Sequence, residues 1–353
     1  MKDFNLRDLT KEELEGWVQT LDMPKFRANQ IFRWLWTPGI RSFDEMTNLS
    51  KPFRAFLSEQ AYINNLKKIK TQFSKDGTVK FAWLLPDNHI IESVLIPERN
   101  HFTLCLSSQV GCAMGCVFCH TAKMGFKRNL TSGEIALQAL SVLEHSPKEI
   151  PLKNLVFMGM GEPLANYNNL IKALYILTDD HGLNFSWRRI TVSTCGLVPQ
   201  MLQLGKDVDV GLAVSLHAPD DELRSKLMPI NKKYPLEALI KACKQYPLAK
   251  RKRITFEYIL LGGINDTLAH ARKLAKLLRG IKSKINLIPY NPSSDLSFKP
   301  PAPSDVEAFR AELIRHNYTV IIRKSKGADI NAACGQLYAE LKKSKAENYA
   351  SII

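Results

Sequence analysis

From residue 102 onward the chain switches repeatedly between the two-residue period of a strand and the 3.6-residue period of a helix. FTLCLSS (102–108) precedes SGEIALQALSVLEH (132–145), and LKNLVFMGMG (152–161) precedes YNNLIKALYILT (167–178). Strand patterns follow at RITVST, VGLAVSLH, RITFEYILL, KINLIPYN and YTVIIRK, most of them trailed by helical runs such as DTLAHARKLAKLLRG. Such alternation argues for β/α units around a parallel sheet. No G-x-G-x-x-G turn follows the first strand. The residues with chemical potential fall instead at the C-terminal ends of successive strands: Cys112 to Cys119, Gly161 and Glu162, Ser193, Ser215 to His217, and Asn291. In a barrel these ends share one rim, where active sites form. The pattern supplies about six units, fewer than the eight of a closed barrel, so an α/β fold with a partial, open (β/α)6 barrel is expected.

The first 60 residues read differently. Thr10 caps KEELEGWVQTL, and PKFRANQIFRWLW (24–36) starts with proline, so a small helical N-terminal domain is expected. Residues 70–96 read as a hairpin or short sheet, with KDG (75–77) as the turn. The organisation that follows is a helical accessory domain plus short sheet at 1–85, a barrel core at 98–327 and a C-terminal segment at 328–353. Lys25, Arg27 and Arg33 alternate with Phe26, Phe32, Trp34 and Trp36, a pattern that suits RNA through phosphate pairing and base stacking. The plainer reading makes those aromatics the core of the helical module.

Lysine and arginine outnumber aspartate and glutamate by 49 to 34, which favours a polyanionic partner. The excess is spread along the chain, with local runs at Lys67, Lys68 and Lys70 and at Lys250 to Arg253. No run reaches the length of a membrane span, and MKDFNLRDLTKEELEGW has no apolar leader core, so a cytoplasmic protein without membrane association is expected. Seven cysteines in 353 residues are too few and too clustered for a disulfide framework, which leaves metal binding or catalysis.

Three of them, Cys112, Cys116 and Cys119, form a C-x3-C-x2-C triple that chance would produce about three times in a thousand at this cysteine frequency. Structural zinc and cubane iron-sulfur clusters normally take four protein ligands. Here only three are grouped. His120 is the available fourth ligand for a closed zinc site; the better account is a [4Fe-4S] cluster with one iron left open for a substrate.

That triple, on the loop after the first barrel strand, resembles the signature of radical S-adenosylmethionine (SAM) enzymes. CLSSQVGC (105–112), FKRNLTSGEI (126–135), FMGMGEPLAN (157–166), VSTCG (192–196), SLHAPDDELRSKLMPIN (215–231), NLIPYNP (286–292) and ADINAACGQL (328–337) are similar, in order, to motifs of the RlmN/Cfr group of RNA adenosine methyltransferases. The similarity spans nearly the whole chain. It implies a radical-SAM barrel that methylates carbon 2 of an adenosine in 23S rRNA, and an adenosine of some tRNAs, with two SAM molecules consumed per turnover. Carbon 2 of adenine is electron-poor and cannot attack a sulfonium methyl, so a carbon radical is the reasonable route.

The same resemblance assigns roles. Cys334 would take a methyl as a thiolate nucleophile and carry it, as a radical, onto the base in a covalent RNA adduct. Glu92 would accept the proton from the adduct, and Cys105 would attack the Cys334 sulfur to release product as a transient disulfide. Gly161, Glu162, Ser193, Ser215, Leu216, His217 and Asn291 would contact SAM. An external electron donor and a monomeric enzyme are implied. Read alone, several of these residues are ordinary: Cys105 as core packing in an apolar strand, Cys334 as a buried helical cysteine, Glu92 as an exposed strand carboxylate, His217 as a structural histidine. Cys195 and Cys243 match no catalytic position. The sequence departs from the group's pattern at Asn331, where aspartate is usual, and in the loop at Gly263. Pro163 fits the carbon-2 branch. Two other readings stand beside it: a carbon-8 methyltransferase of the Cfr branch, and a non-catalytic RNA-binding protein with structural zinc.

Overall fold

Ten strands form one sheet whose spatial order repeats their order in the chain. Three come first as an antiparallel meander: β1 (Lys67–Phe73), β2 (Val79–Leu84) and β3 (Ile90–Pro97). β4 (Phe102–Cys105) pairs antiparallel with β3 and starts a parallel run: β5 (Leu152–Phe157), β6 (Ile190–Thr194), β7 (Gly211–Ser215), β8 (Ile254–Leu260), β9 (Ser283–Pro289) and β10 (Val320–Ile322). The computed structural model describes residues 4–146, 149–249, 252–292 and 296–338.

Each parallel crossover steps one strand in the same direction. With the right-handed connection that such units adopt, all the crossover helices lie on one face and the other face curls inward. The helices are α4 (Ser132–His145), α5 (Tyr167–Thr178), α6 (Val198–Asp207), α7 (Asp221–Leu227) with α8 (Leu236–Gln245), α9 (Leu268–Leu277) and α10 (Pro303–Arg315). α1 to α3 precede the sheet, at Lys11–Thr20, Phe26–Leu35 and Lys51–Gln60. Six β/α units and a seventh parallel strand thus make the open partial barrel. Sequence patterning located α4 and α5 well because each has a strong signal: α4 starts at a Thr131/Glu134 capping box, and α5 carries Leu170, Ala173, Leu174 and Leu177 inward at helical spacing.

The N-terminal helices pack on this frame rather than standing apart. α1 begins at a Thr10/Glu13 capping box, as its sequence indicates. Arg7 is fully buried and donates to the carbonyls of Leu35 (2.9 Å), Asn64 (2.6 Å) and Ile40 (3.1 Å), which gathers three separate stretches around one cation. Asp8 then joins the module to the barrel: its carbonyl accepts from Ser132 Oγ (2.7 Å) and its carboxylate from the Gly133 amide (3.0 Å), at the start of α4. One apolar core runs from Leu6 through the sheet to Leu337. The aromatic stripe of α2 divides: Phe32 and Trp36 are buried, whereas Phe26 is 52% exposed with the Arg27 guanidinium 4.9 Å over its ring.

The KDG turn forms where expected, with the Ser74 amide bonded to the Thr78 carbonyl at 2.8 Å. Its hairpin gains β3 and continues the barrel sheet without a break. Among the described residues no helix is long and apolar enough to cross a membrane.

Candidate active site

The C-terminal ends of the parallel strands open onto a cleft of about 860 Å3, its mouth included. Cys112, Cys116 and Cys119 all face it. Their loop is shaped by glycine: Gly111 has φ +72°, and a Cβ there would lie 1.7 Å from the Gly125 carbonyl oxygen. A two-strand ribbon, Gln109–Val110 with Arg128–Asn129, closes the loop's base. The Val117 amide donates to Leu227 (3.1 Å) and the Cys119 amide to Cys116 (3.2 Å). Burial pushes all three thiols up, Cys112 to about 12, with the neighbouring sulfurs adding to the rise at Cys116. Three thiolates here therefore require a compensating cation, which a metal centre supplies.

Three thiols grouped on one loop and facing one cleft are a donor set that a cluster would take. His120 stands outside the cleft wall.

Opposite the cysteines lies the turn after β5. Gly161 has φ +98°, and a Cβ would sit 2.5 Å from that of Gln109, so only glycine fits. Glu162 is buried, with Oε2 accepting from the Cys195 amide (2.8 Å) and Oε1 from Leu164 (3.1 Å). The side chains of Thr194 and Cys195 hydrogen-bond the same carboxyl. Arg224, fully buried, donates to the carbonyls of Cys195 (2.7 Å), Ser215 (3.2 Å) and Leu216 (3.1 Å), so one guanidinium fixes the ends of β6 and β7 together. His217, at φ +59°, accepts the Ile259 amide on Nδ1 (3.0 Å). Burial, then Arg224, lowers its pKa to about 3, which leaves a neutral ring with its proton on Nε2.

The last wall comes from residues 327–338, a strap that follows β10 and carries Cys334 into the cleft. Its helical part is only a short 3-10 turn, Ala328–Ile330, so Cys334 is not a helical cysteine, and the residue is exposed. The Gly335 carbonyl accepts from the His120 amide (2.8 Å), which ties the strap to the cysteine loop. Cys105, at the end of β4, is buried; burial first, and the Cys334 sulfur second, push its thiol up.

Comparison with known proteins decides the family. Residues 4–63 match the ribosomal RNA large subunit methyltransferase N-terminal domain, and residues 106–278 match the radical SAM superfamily. A dual-specificity RNA methyltransferase RlmN of Syntrophus aciditrophicus is 50% identical over 337 residues, covering 96% of this chain and 97% of that protein. The RlmN of Desulfosudis oleivorans is 53% identical over 339 residues, 96% of this chain and 91% of the relative. The crystal structure of a radical SAM methyltransferase from Sphaerobacter thermophilus superposes with a TM-score of 0.89 at 42% identity, covering 96% of this chain and all of that one.

The chain belongs to the RlmN family of radical SAM methyltransferases.

Against the RlmN-type expectations, the structure brings Cys112, Cys116, Cys119, Gly161, Glu162, Ser193, Ser215, His217 and Cys334 to one cleft. Leu216 and Asn291 are not among its lining residues: the Leu216 amide donates to the Glu257 backbone carbonyl (3.0 Å), and Asn291 accepts from Ser325 Oγ. Glu92 is 5% exposed, beneath the strap, where burial raises its pKa and Lys80 opposes that rise. Cys195 faces the cleft, while Cys243 is packed in α8. Two features of this RlmN-family site escaped the sequence reading. Glu257 lines the cleft and accepts from Ser193 Oγ (3.1 Å); its signal was a carboxylate within the apolar strand RITFEYILL. Arg224 sits in the polar helix DELRSKL, where nothing local signals that an arginine is fully buried.

Proposed function

We propose that this enzyme methylates carbon 2 of an adenosine in 23S rRNA, and of an adenosine in some tRNAs, through a methyl carried on Cys334. The supporting observation is that Cys334 and the three cluster cysteines open onto one cleft. When bound, the [4Fe-4S] cluster and SAM supply a methyl cation equivalent and a hydrogen-abstracting radical, at two SAM per turnover. Cys112, Cys116 and Cys119 hold the cluster, and the GMGEP turn with Glu162 receives the cofactor's amino group. Ser193, Ser215 and Glu257 offer hydroxyl and carboxylate partners to its ribose.

Cys334 accepts the methyl on sulfur; once that methyl has lost one hydrogen atom to the cofactor-derived radical, its carbon would bond to carbon 2 of the base, and the adduct's odd electron would pass back to the cluster. Glu92 takes the proton from carbon 2 of the adduct. Cys105 forms a disulfide with Cys334 as the Cys334 sulfur–carbon bond breaks; the bond's electron pair stays on the carbon, which a proton completes to methyl. An external dithiol and electron donor restore the thiols and the cluster. RNA is held by the N-terminal domain and the β1 edge. Phe26 under Arg27, and Phe73, 74% exposed on the strand that carries Lys67, Lys68 and Lys70, offer rings for base stacking beside cations for phosphate.

The carbon-8 alternative is not favoured, since the full-length relatives carry the RlmN name and Pro163 fits the carbon-2 branch. A non-catalytic zinc-bearing binding protein is disfavoured because full-length relatives carry a methyltransferase name. A monomeric, cytoplasmic enzyme fits this reading. The test is incubation of anaerobically reconstituted protein with rRNA fragments, tRNA and methyl-labelled SAM. Labelled 2-methyladenosine supports the reading; label on carbon 8, or none, refutes it.

A further inference from the structure

The β2 strand contributes a buried cation that none of the roles above uses. Lys80 pairs across the sheet with Val94, and Val94 with Cys105, so all three side chains share the concave face; Glu92, two residues from Val94 on β3, shares it too. Lys80 Nζ lies 3.1 Å from Glu92 Oε1, with the two side chains only 7% and 6% exposed. The same ammonium donates to the Asn331 carbonyl at 3.1 Å, and Glu92 Oε2 accepts from the Tyr338 amide at 3.1 Å. The ion pair therefore grips the strap on both sides of Cys334, three residues before it and four after.

A buried lysine and a buried glutamate are each unfavourable alone and persist through each other and through added hydrogen bonds. Here every added bond runs to the Cys334 strap. Asn331 adopts the left-handed conformation, φ +52°, which aims its carbonyl at Lys80, and an asparagine tolerates that backbone readily. We propose that Lys80 is a positioning residue for adduct breakdown: it holds Glu92 as an oriented carboxylate and fastens the strap so that base and Cys334 stay in register. The inference rests on Glu92 being the proton acceptor. Besides Lys80, the groups that bear on Glu92 are Lys70 on β1 and the strap's Tyr338 amide, with Cys105 on the adjacent strand. Lys80 is the only one of these that makes an ion pair with it among the described residues.

The experiment compares reconstituted wild-type, Lys80→Met, Lys80→Arg and Glu92→Gln enzymes across a pH series, reading RNA-linked protein on denaturing gels and methyl loading of Cys334 by mass spectrometry. Glu92→Gln should accumulate adduct at every pH. Lys80→Met should load Cys334 normally yet accumulate adduct at the low end. Without the cation the carboxylate forms only at higher pH, so the midpoint for adduct breakdown should rise by about one pH unit or more. Lys80→Arg should restore most of the wild-type profile. In the unloaded protein, Lys80→Met should also speed amide exchange at Tyr338.

A Lys80→Met profile and adduct level equal to wild type would overturn the proposal. So would loss of methyl loading in step with loss of product, which would make Lys80 a general structural support. Absence of adduct in Glu92→Gln removes the assignment of Glu92 itself and the inference with it, a result distinct from failure at Lys80 alone.

Discussion

The cysteine loop and the Cys334 strap are joined where His120 donates to Gly335 and Thr121 to Leu337, yet they are built by different means. The loop is fixed by steric necessity: a Cβ at Gly111 would strike Gly125 at 1.7 Å, and one at Gly161 would strike Gln109 at 2.5 Å. The strap relies more on exchangeable polar contacts, beside the packing of Ala332, Ala333 and Leu337. Asp329 accepts from Ser74 Oγ and the Lys75 amide, Asp76 from the Gly327 amide, and Lys80 with Glu92 grips the middle. Hydrogen bonds of this kind trade against water for about 1 kcal/mol each, whereas steric shape has no substitute. The contrast suits the proposed mechanism, in which the cofactor side would be preorganised while Cys334 would reach SAM, base and Cys105 in turn.

Breaking the carrier should give the largest effect. Cys334→Ala is expected to abolish RNA methylation while leaving cluster absorbance and reductive SAM cleavage in place, measured by nucleoside analysis and deoxyadenosine release. Cys105→Ala should leave loading intact and trap protein on RNA. Next is the rigid side: Gly161→Ala forces a side chain against Gln109 at a left-handed backbone, which should lower stability by about 1–3 kcal/mol and weaken SAM binding about ten-fold, read by thermal unfolding and equilibrium binding. The smallest effect belongs to the outer clasp. Asp76→Asn, which removes a charged acceptor for the Gly327 amide, should slow turnover only about three-fold. A loss as large as that of Cys334→Ala would show that the strap is as inflexibly built as the loop.

The barrel was legible because its signals are local. Strand and helix periods, the capping box at Thr131 and the cysteine spacing can each be read within a few residues. Cys334 was located only through family resemblance, since ADINAACGQL has no periodic signature and folds as turns held by distant partners. Glu92 looked like an exposed strand carboxylate; burial came from a strap more than 200 residues downstream, which no local pattern reports. Lys80 does carry a local signal, as the only charged residue of the apolar strand VKFAWL, but its partner on the strap, Asn331, lies 251 residues away and no local pattern reports it. The hairpin at 70–96 was recognised, but its continuity with the barrel sheet depends on β3 pairing with β4.

Trideuteromethyl SAM, supplied to the anaerobic holoenzyme with rRNA, tests most directly whether the methyl travels by way of Cys334 as a radical. The account predicts 2-methyladenosine whose methyl has exchanged one deuterium for a solvent hydrogen. A methyl delivered with all its deuterium, or delivered to another atom of the base, would contradict it.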